Sequence, residues 1–141
     1  MKILIPVDGS ENANHAVDYV IAIAEQMKAV PQIALLNVQW KIAAGHVKLF
    51  IDQDTISDYY REQGAEAMTE ARRKLDAAGL AYDYRISIGS PAETIVQVAQ
   101  EQHADQIVMG AQGQGKLSAF FLGSVVNRVM NLAQVPVVVV K

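Results

Sequence analysis

Short apolar runs alternate along the chain with longer segments in which apolar residues recur every three or four positions. The first run, residues 2–7, is continuously apolar after Lys2, which is typical of a strand buried on both faces. The segment after it has helical spacing, and Ser10 is placed to be its N-cap. Alternation of such strands and helices predicts a parallel sheet covered by helices on both faces.

The same pattern divides the rest of the chain into four further strands and three further helices. One long helix is predicted over residues 54–78, ending at Gly79. Apolar and polar side chains alternate over residues 82–88, which indicates a strand with one exposed face at a sheet edge. The other strands are predicted over 32–39, 105–109 and 135–140, and the other helices over 91–102 and 123–133. The helix at 91 is opened by a capping box of Ser90 and Glu93 with Pro91 at its first position.

Composition narrows the class of protein. The chain has 141 residues, of which 51% are hydrophobic, no cysteine, and a formal net charge of −3. We expect one domain over residues 1–141, large enough to fold without disulfides or metals. The absence of cysteine excludes thiol catalysis and thiolate metal sites. The acidic balance gives no broad basic surface for nucleic acid, and no apolar run is long enough for a membrane span, so we expect a cytoplasmic protein.

Candidate chemistry is concentrated between Gly110 and Ser124, a glycine-rich stretch that follows a predicted strand and opens a predicted helix. Glycines let the backbone approach a ligand, and the first N–H groups of the helix have no partner within it. Phosphate can be held there, with the Ser124 hydroxyl as a further donor and with charge from Lys116 or Arg128. For any single glycine, the alternative is that it only lets the loop turn.

Gly110, Gly113, Gly123 and Ser124 spell the pattern Gly-x2-Gly-x9-Gly-Ser. In this pattern the chain resembles the nucleotide-binding branch of the universal stress protein family. Further segments that resemble the family are residues 3–10, 89–93, 104–110, 122–125 and 135–140. The resemblance implies a single-domain, Rossmann-like α/β fold with five parallel strands in the order 3-2-1-4-5. It also implies ATP in the cleft beside strands one and four. Open α/β sheets bind ligands where the strand order reverses, which agrees with that placement.

The resemblance also implies which residues form the nucleotide site. Strand ends would line the adenosine side, with main-chain groups reading the base edge, and the loop and the following helix would hold the phosphates with any Mg²⁺ on them. The residues are Pro6, Val7 and Asp8 on the adenosine side, Val38 beside the adenine, Met109 and Gly110 under the ribose and α-phosphate, and Gly113, Gly123, Ser124 and Val125 around the phosphates.

Some positions depart from the family's usual pattern or stand outside it. Ala111 and Gln112 replace a frequent Thr or Ser followed by His, which removes a hydroxyl near the phosphates, and Asn37 stands where His is frequent. Trp40 is expected in the core or at an interface.

The leading hypothesis is an ATP-binding stress-response regulator. A slow ATPase and a nucleotide-free interaction module stay open as alternatives, although no histidine lies in a motif that would supply a general base.

The last strand bears on assembly. In the implied strand order, Val137–Val140 forms an apolar edge, which is a hazard for aggregation unless it is covered. Pairing with the same strand of a second copy covers it by two-fold symmetry. We therefore expect a homodimer through this strand.

Overall fold

The computed structural model describes residues 1–40, 53–113 and 121–141. Its five strands are all parallel and form one sheet in the order β3-β2-β1-β4-β5, which confirms the expected α/β fold and strand order. Residues 41–52, and Lys116 in the glycine-rich loop, lie outside the described residues. The elements are β1 (Lys2–Pro6), α1 (Glu11–Gln26), β2 (Gln32–Gln39), α2 (Gln53–Ala67), α3 (Thr69–Ala77), β3 (Tyr82–Ile88), α4 (Pro91–Glu101), β4 (Gln106–Gly110), α5 (Ser124–Leu132) and β5 (Val137–Val140).

The central strand β1 is buried on both faces, as its continuous apolar run predicts. Side chains alternate across a strand, so Ile3 and Ile5 pack with residues of α1 and α3, while Leu4 packs with residues of α4 and α5. All three side chains are completely buried. The core therefore consists of two layers separated by the sheet.

The helix predicted over residues 54–78 is in fact two helices, so that prediction is wrong. The boundary is at Met68, the N-cap of α3, whose N–H is shared between the carbonyls of Gly64 and Ala65. On the two sides of this residue the helices have different partners, since α2 lies over β2 and β3 while α3 lies against α1. Gly64 allows α2 to lie close to β3, since a β-carbon at position 64 would fall 2.7 Å from Ile86 Cγ2.

The two predicted serine caps differ in outcome. Ser10 is the N-cap of α1, and its Oγ accepts a hydrogen bond from the Ala13 N–H at 3.2 Å, as predicted. Ser90 is the N-cap of α4 with Pro91 behind it, but its hydroxyl makes no capping bond, so the capping box is wrong. The Glu93 carboxylate that would complete the box accepts a hydrogen bond from Arg128 of α5.

The two edges of the sheet are β3 and β5. The edge position of β3 is as predicted, but burial does not follow its alternating sequence pattern, since the apolar side chains of Tyr84 and Ile88 are about half exposed. All four valines of β5 are partly buried, because Val138 and Val140 pack on one layer of the core and Val137 and Val139 on the other. Over the part of the chain that the structure describes, no helix is both long and apolar enough to cross a membrane.

Candidate functional site

A cavity of about 760 Å³ opens at the carboxyl ends of β1, β2 and β4. The connections on the two sides of β1 run in opposite directions, which leaves a crevice at this edge of the sheet. Its volume lies in the range of about 300–1,000 Å³ typical of small-molecule sites. All ten residues implied by the family resemblance line it: Pro6, Val7, Asp8, Val38, Met109, Gly110, Gly113, Gly123, Ser124 and Val125.

Asp8 lies at the junction of β1 and α1, on the wall of the cavity. Its Oδ1 accepts a hydrogen bond from the Ser10 N–H at 3.0 Å, across Gly9, which has a φ of +84°. Its Oδ2 is directed toward the glycine-rich loop, where a β-carbon at Gly113 would fall 2.6 Å from it. One carboxylate therefore stabilises the turn into α1 and meets the loop after β4.

Gly110, the last residue of β4, is required by packing within the fold. A β-carbon there would lie 2.5 Å from the Asn12 carbonyl carbon and 2.6 Å from its oxygen. Both atoms belong to the backbone of the first turn of α1, which cannot move aside cheaply. Gly110 thus lets α1 begin directly against the end of β4, whether or not a ligand is bound.

The two ends of the glycine-rich loop are hydrogen-bonded to each other beside the cavity. The Gly123 N–H donates to the Ala111 carbonyl at 2.8 Å, and Gln112 Nε2 donates to the Phe121 carbonyl at 2.7 Å. Gly123 is the N-cap of α5, so the first N–H groups of that helix lack partners within it. These groups begin at Ser124 on the cavity wall, which is where an anion would be held.

Arg128 does not take part in this cavity. Its guanidinium is hydrogen-bonded to Glu93 of α4 on the protein surface, so the expectation that it could add charge to the site is not met. The pKa of the Glu93 carboxyl lies below its ordinary value, first because its own backbone N–H donates to it and then because of Arg128. In the described part of the chain, no lysine or arginine lines the cavity.

The outer wall contains residues that the sequence did not single out. Trp40 is 65% exposed and lines the cavity mouth, so it does not lie in the core, and its alternative place at an interface stays a prediction. Gln63 and Glu66 face the same space from α2. Their spacing of three residues puts both on one helical face, but which face meets the cavity depends on how α2 packs over β2 and β3.

Comparison with known proteins agrees with the fold. A curated relative, Universal stress protein MJ0531 of Methanocaldococcus jannaschii, is 35% identical over 99% of this chain and 81% of that protein. The solved structure of MJ0577 from the same organism has a TM-score of 0.84 at 31% identity, covering 99% of this chain and 94% of that chain.

More distant structures share the fold. A universal stress protein in complex with cAMP is 22% identical with a TM-score of 0.71, over 100% of this chain and 97% of that one. A family member from Arabidopsis thaliana with AMP bound is 19% identical with the same TM-score, over 100% of this chain and 91% of that one. The family model described as the universal stress protein family matches residues 1–141. With that match, a 35% identical relative and the strand order in agreement, this chain belongs to the universal stress protein family.

Proposed function

We propose that this protein binds ATP in the cavity at the ends of β1, β2 and β4, and that nucleotide occupancy regulates a stress response. One observation carries the proposal. The ends of the strands, which suit a nucleoside, and the start of α5, which suits phosphates, line the same cavity of about 760 Å³. Two distant proteins of the same fold contain cAMP and AMP.

The phosphates would be held by backbone groups. Asp8 and Glu66 are the charged side chains on the described wall, and both are acidic. A polyphosphate there needs the N–H groups of the glycine-rich loop and of the first turn of α5, together with the Ser124 hydroxyl. Any Mg²⁺ would be carried on the phosphates, since the described residues contain no cluster of three His, Asp or Glu side chains able to hold an ion.

The base would meet the main chain of β2. The Val7 N–H donates to the Leu36 carbonyl at 2.8 Å, so Leu36 directs its main-chain groups toward β1. Main-chain direction alternates along a strand, and Val38 therefore directs its N–H and C=O to the same side, beyond the last residue of β1. These two groups would read the edge of the adenine.

The proposal includes a homodimer formed through β5. The Ala111 N–H donates to the Val140 carbonyl at 2.7 Å and the Ile107 N–H to the Pro136 carbonyl at 3.0 Å, so even-numbered residues of this strand face β4. The main-chain groups of Val137 and Val139 therefore point to the free edge of the sheet. Two copies related by a two-fold axis would pair through these groups.

One experiment tests the nucleotide proposal. The purified protein is denatured, released nucleotide is identified, and the refolded or nucleotide-stripped protein is titrated with ATP by calorimetry. We expect a saturable adenine nucleotide site, unchanged in Ser87→Ala, which alters a buried hydroxyl of β3 outside the cavity. The proposal is overturned if no nucleotide co-purifies and added ATP does not bind.

The same samples discriminate the enzymatic alternative. Protein with ATP and Mg²⁺ is followed for ADP over hours. A binding protein leaves ATP intact, whereas ADP formation that is lost in folded Ser124→Ala would identify a slow ATPase. Conformational regulation requires different nucleotide affinity in two states, so a change in dimer affinity on adding ATP is the expected sign of it.

A further inference from the structure

Asn37 is the polar side chain most completely buried in the described core, with 2% of its surface exposed. Its Nδ2 donates to the Val7 carbonyl at 2.8 Å, and its Oδ1 accepts from Gln39 Nε2 at 2.6 Å. Buried polar groups require such partners. Both ends of this amide are therefore held, one by the end of β1 and one by the neighbouring side chain on β2.

The Val7 carbonyl, which accepts from Asn37, is also the group that would accept the next main-chain hydrogen bond between β1 and β2. Leu36 and Val38 direct their main-chain groups toward β1, and the bond from the Gly89 N–H to the Gln39 carbonyl at 2.9 Å shows that the alternate residues face β3. After the bond from Val7 to Leu36, the next rung of the β1–β2 ladder would run from the Val38 N–H to the Val7 carbonyl. Among the described residues the Val7 carbonyl accepts from the Asn37 amide, and no such main-chain rung is formed.

We propose that Asn37 is a positioning residue for purine recognition, because its side-chain amide occupies the Val7 carbonyl and so keeps the Val38 N–H out of the sheet and directed into the cavity. This inference rests on the proposed function, which places the base beside Val38. Adenine has a ring nitrogen that accepts next to an amino group that donates. The Val38 N–H and C=O provide the complementary donor and acceptor only if the ladder stops before them.

The role of Gln39 follows from the same contacts. An asparagine amide can turn over, exchanging its oxygen and nitrogen, and only one orientation presents a donor to Val7. Because Gln39 donates to Oδ1, it favours the orientation in which Nδ2 faces the Val7 carbonyl. The pair acts as a unit that ends the ladder at a defined rung.

Amide hydrogen exchange of the ligand-free protein tests the inference, and ATP binding gives a second readout. In the wild-type protein the Val38 amide should exchange rapidly, and ATP should protect it. In Asn37→Ala the Val7 carbonyl is released, the Val38 N–H completes the rung, and its exchange should slow by about tenfold or more, the effect of one added hydrogen bond. ATP affinity should fall by about tenfold for the same reason. Asn37→His, which retains an N–H donor, should keep affinity and fast exchange nearer to wild type.

Ser87→Ala is the matched control, because Ser87 lies opposite Val38 in the β2–β3 register and its hydroxyl has no partner in the described structure. Urea unfolding of each variant separates loss of stability from loss of affinity. The inference is overturned if the ligand-free wild-type Val38 amide is already protected, or if Asn37→Ala binds ATP as tightly as wild type. Failure of the proposed function looks different, since the wild-type protein would then bind no ATP while the exchange results still decide the role of Asn37.

Discussion

Asp8 and Gly113 lie so close together that a β-carbon added at position 113 would fall 2.6 Å from Asp8 Oδ2. The two residues are distant in sequence, one after β1 and one after β4. The carboxylate is also held by the Ser10 N–H. Asp8 therefore lies between the start of α1 and the first residues of the glycine-rich loop.

Gly113→Ala should displace the loop from Asp8 and weaken ATP binding by about ten- to a hundredfold, while the urea midpoint changes little because the residue is exposed. Calorimetry on Gly113→Ala, Asp8→Ala and the double variant forms a mutant cycle. The loss in the double variant should be smaller than the combined losses, since removing the carboxylate makes room for the new methyl. Strictly additive losses would argue against this contact.

Alanine substitutions at Gly110 and Gly123 should lower the free energy of unfolding by different amounts. Gly110→Ala brings a methyl against the backbone of Asn12 and should lower the free energy of unfolding by about 1–3 kcal/mol or more. At Gly123 a β-carbon would meet its nearest atom at 3.4 Å, with φ at −64°, so Gly123→Ala should cost about 1 kcal/mol or less. Urea titrations of the two variants in parallel compare them, and equal destabilisation would contradict the assignment of Gly110 to packing.

Trp40 should report ligand binding. It is the only tryptophan in the chain, it is 65% exposed, and it lines the cavity mouth. Adding ATP should change its fluorescence saturably, with the same midpoint as calorimetry. Trp40→Phe serves as the control, because it should remove the signal while ATP still binds. An unchanged spectrum at saturating ATP would mean that the ligand does not reach this wall.

Val139→Pro should dissociate the proposed dimer. The substitution removes an N–H that points to the free edge of β5 and leaves the bonds of Val138 and Val140 to β4 in place. Val139→Ala, which keeps the N–H, is the matched control and should stay dimeric. Sedimentation velocity at micromolar concentration measures both. A wild-type protein that sediments as a monomer would rule out the dimer itself.

The Glu93–Arg128 pair predicts an acid-dependent contribution to stability. The pKa of Glu93 in the folded protein is below its ordinary value of 4.5, first through its own backbone N–H and then through Arg128. A depressed carboxyl pKa stabilises the fold above the unfolded-state pKa, and the effect is lost as pH falls through the folded-state value. Glu93→Gln should therefore lower the urea midpoint slightly at pH 7 and match wild type at pH 3. A larger difference between the two urea midpoints at pH 3 than at pH 7 would contradict a lowered Glu93 pKa. Both groups are exposed, so the effect at pH 7 should be small.

Local pattern was enough to predict the strands, because burial on two faces leaves a continuous apolar run such as residues 2–7, and an edge position leaves alternation such as residues 82–88. The strand order and the ten cavity positions came from the glycine pattern and its family resemblance. Of these glycines, Gly110 is required by the fold itself, because a β-carbon there would meet the backbone of Asn12.

The helix break and the positions of several side chains depend on tertiary contacts, which the periodicity of the sequence does not contain. The helix breaks at Met68 because the two halves pack on different partners, although the apolar spacing runs through the break. Arg128 is drawn away from the cavity by Glu93, and Trp40 lies at its mouth, since both outcomes depend on neighbours that are distant in sequence. The role of Asn37 depends on one hydrogen bond between residues thirty positions apart, from its side chain to the Val7 carbonyl. A sequence shows which groups can bond, but only packing selects which pairs meet.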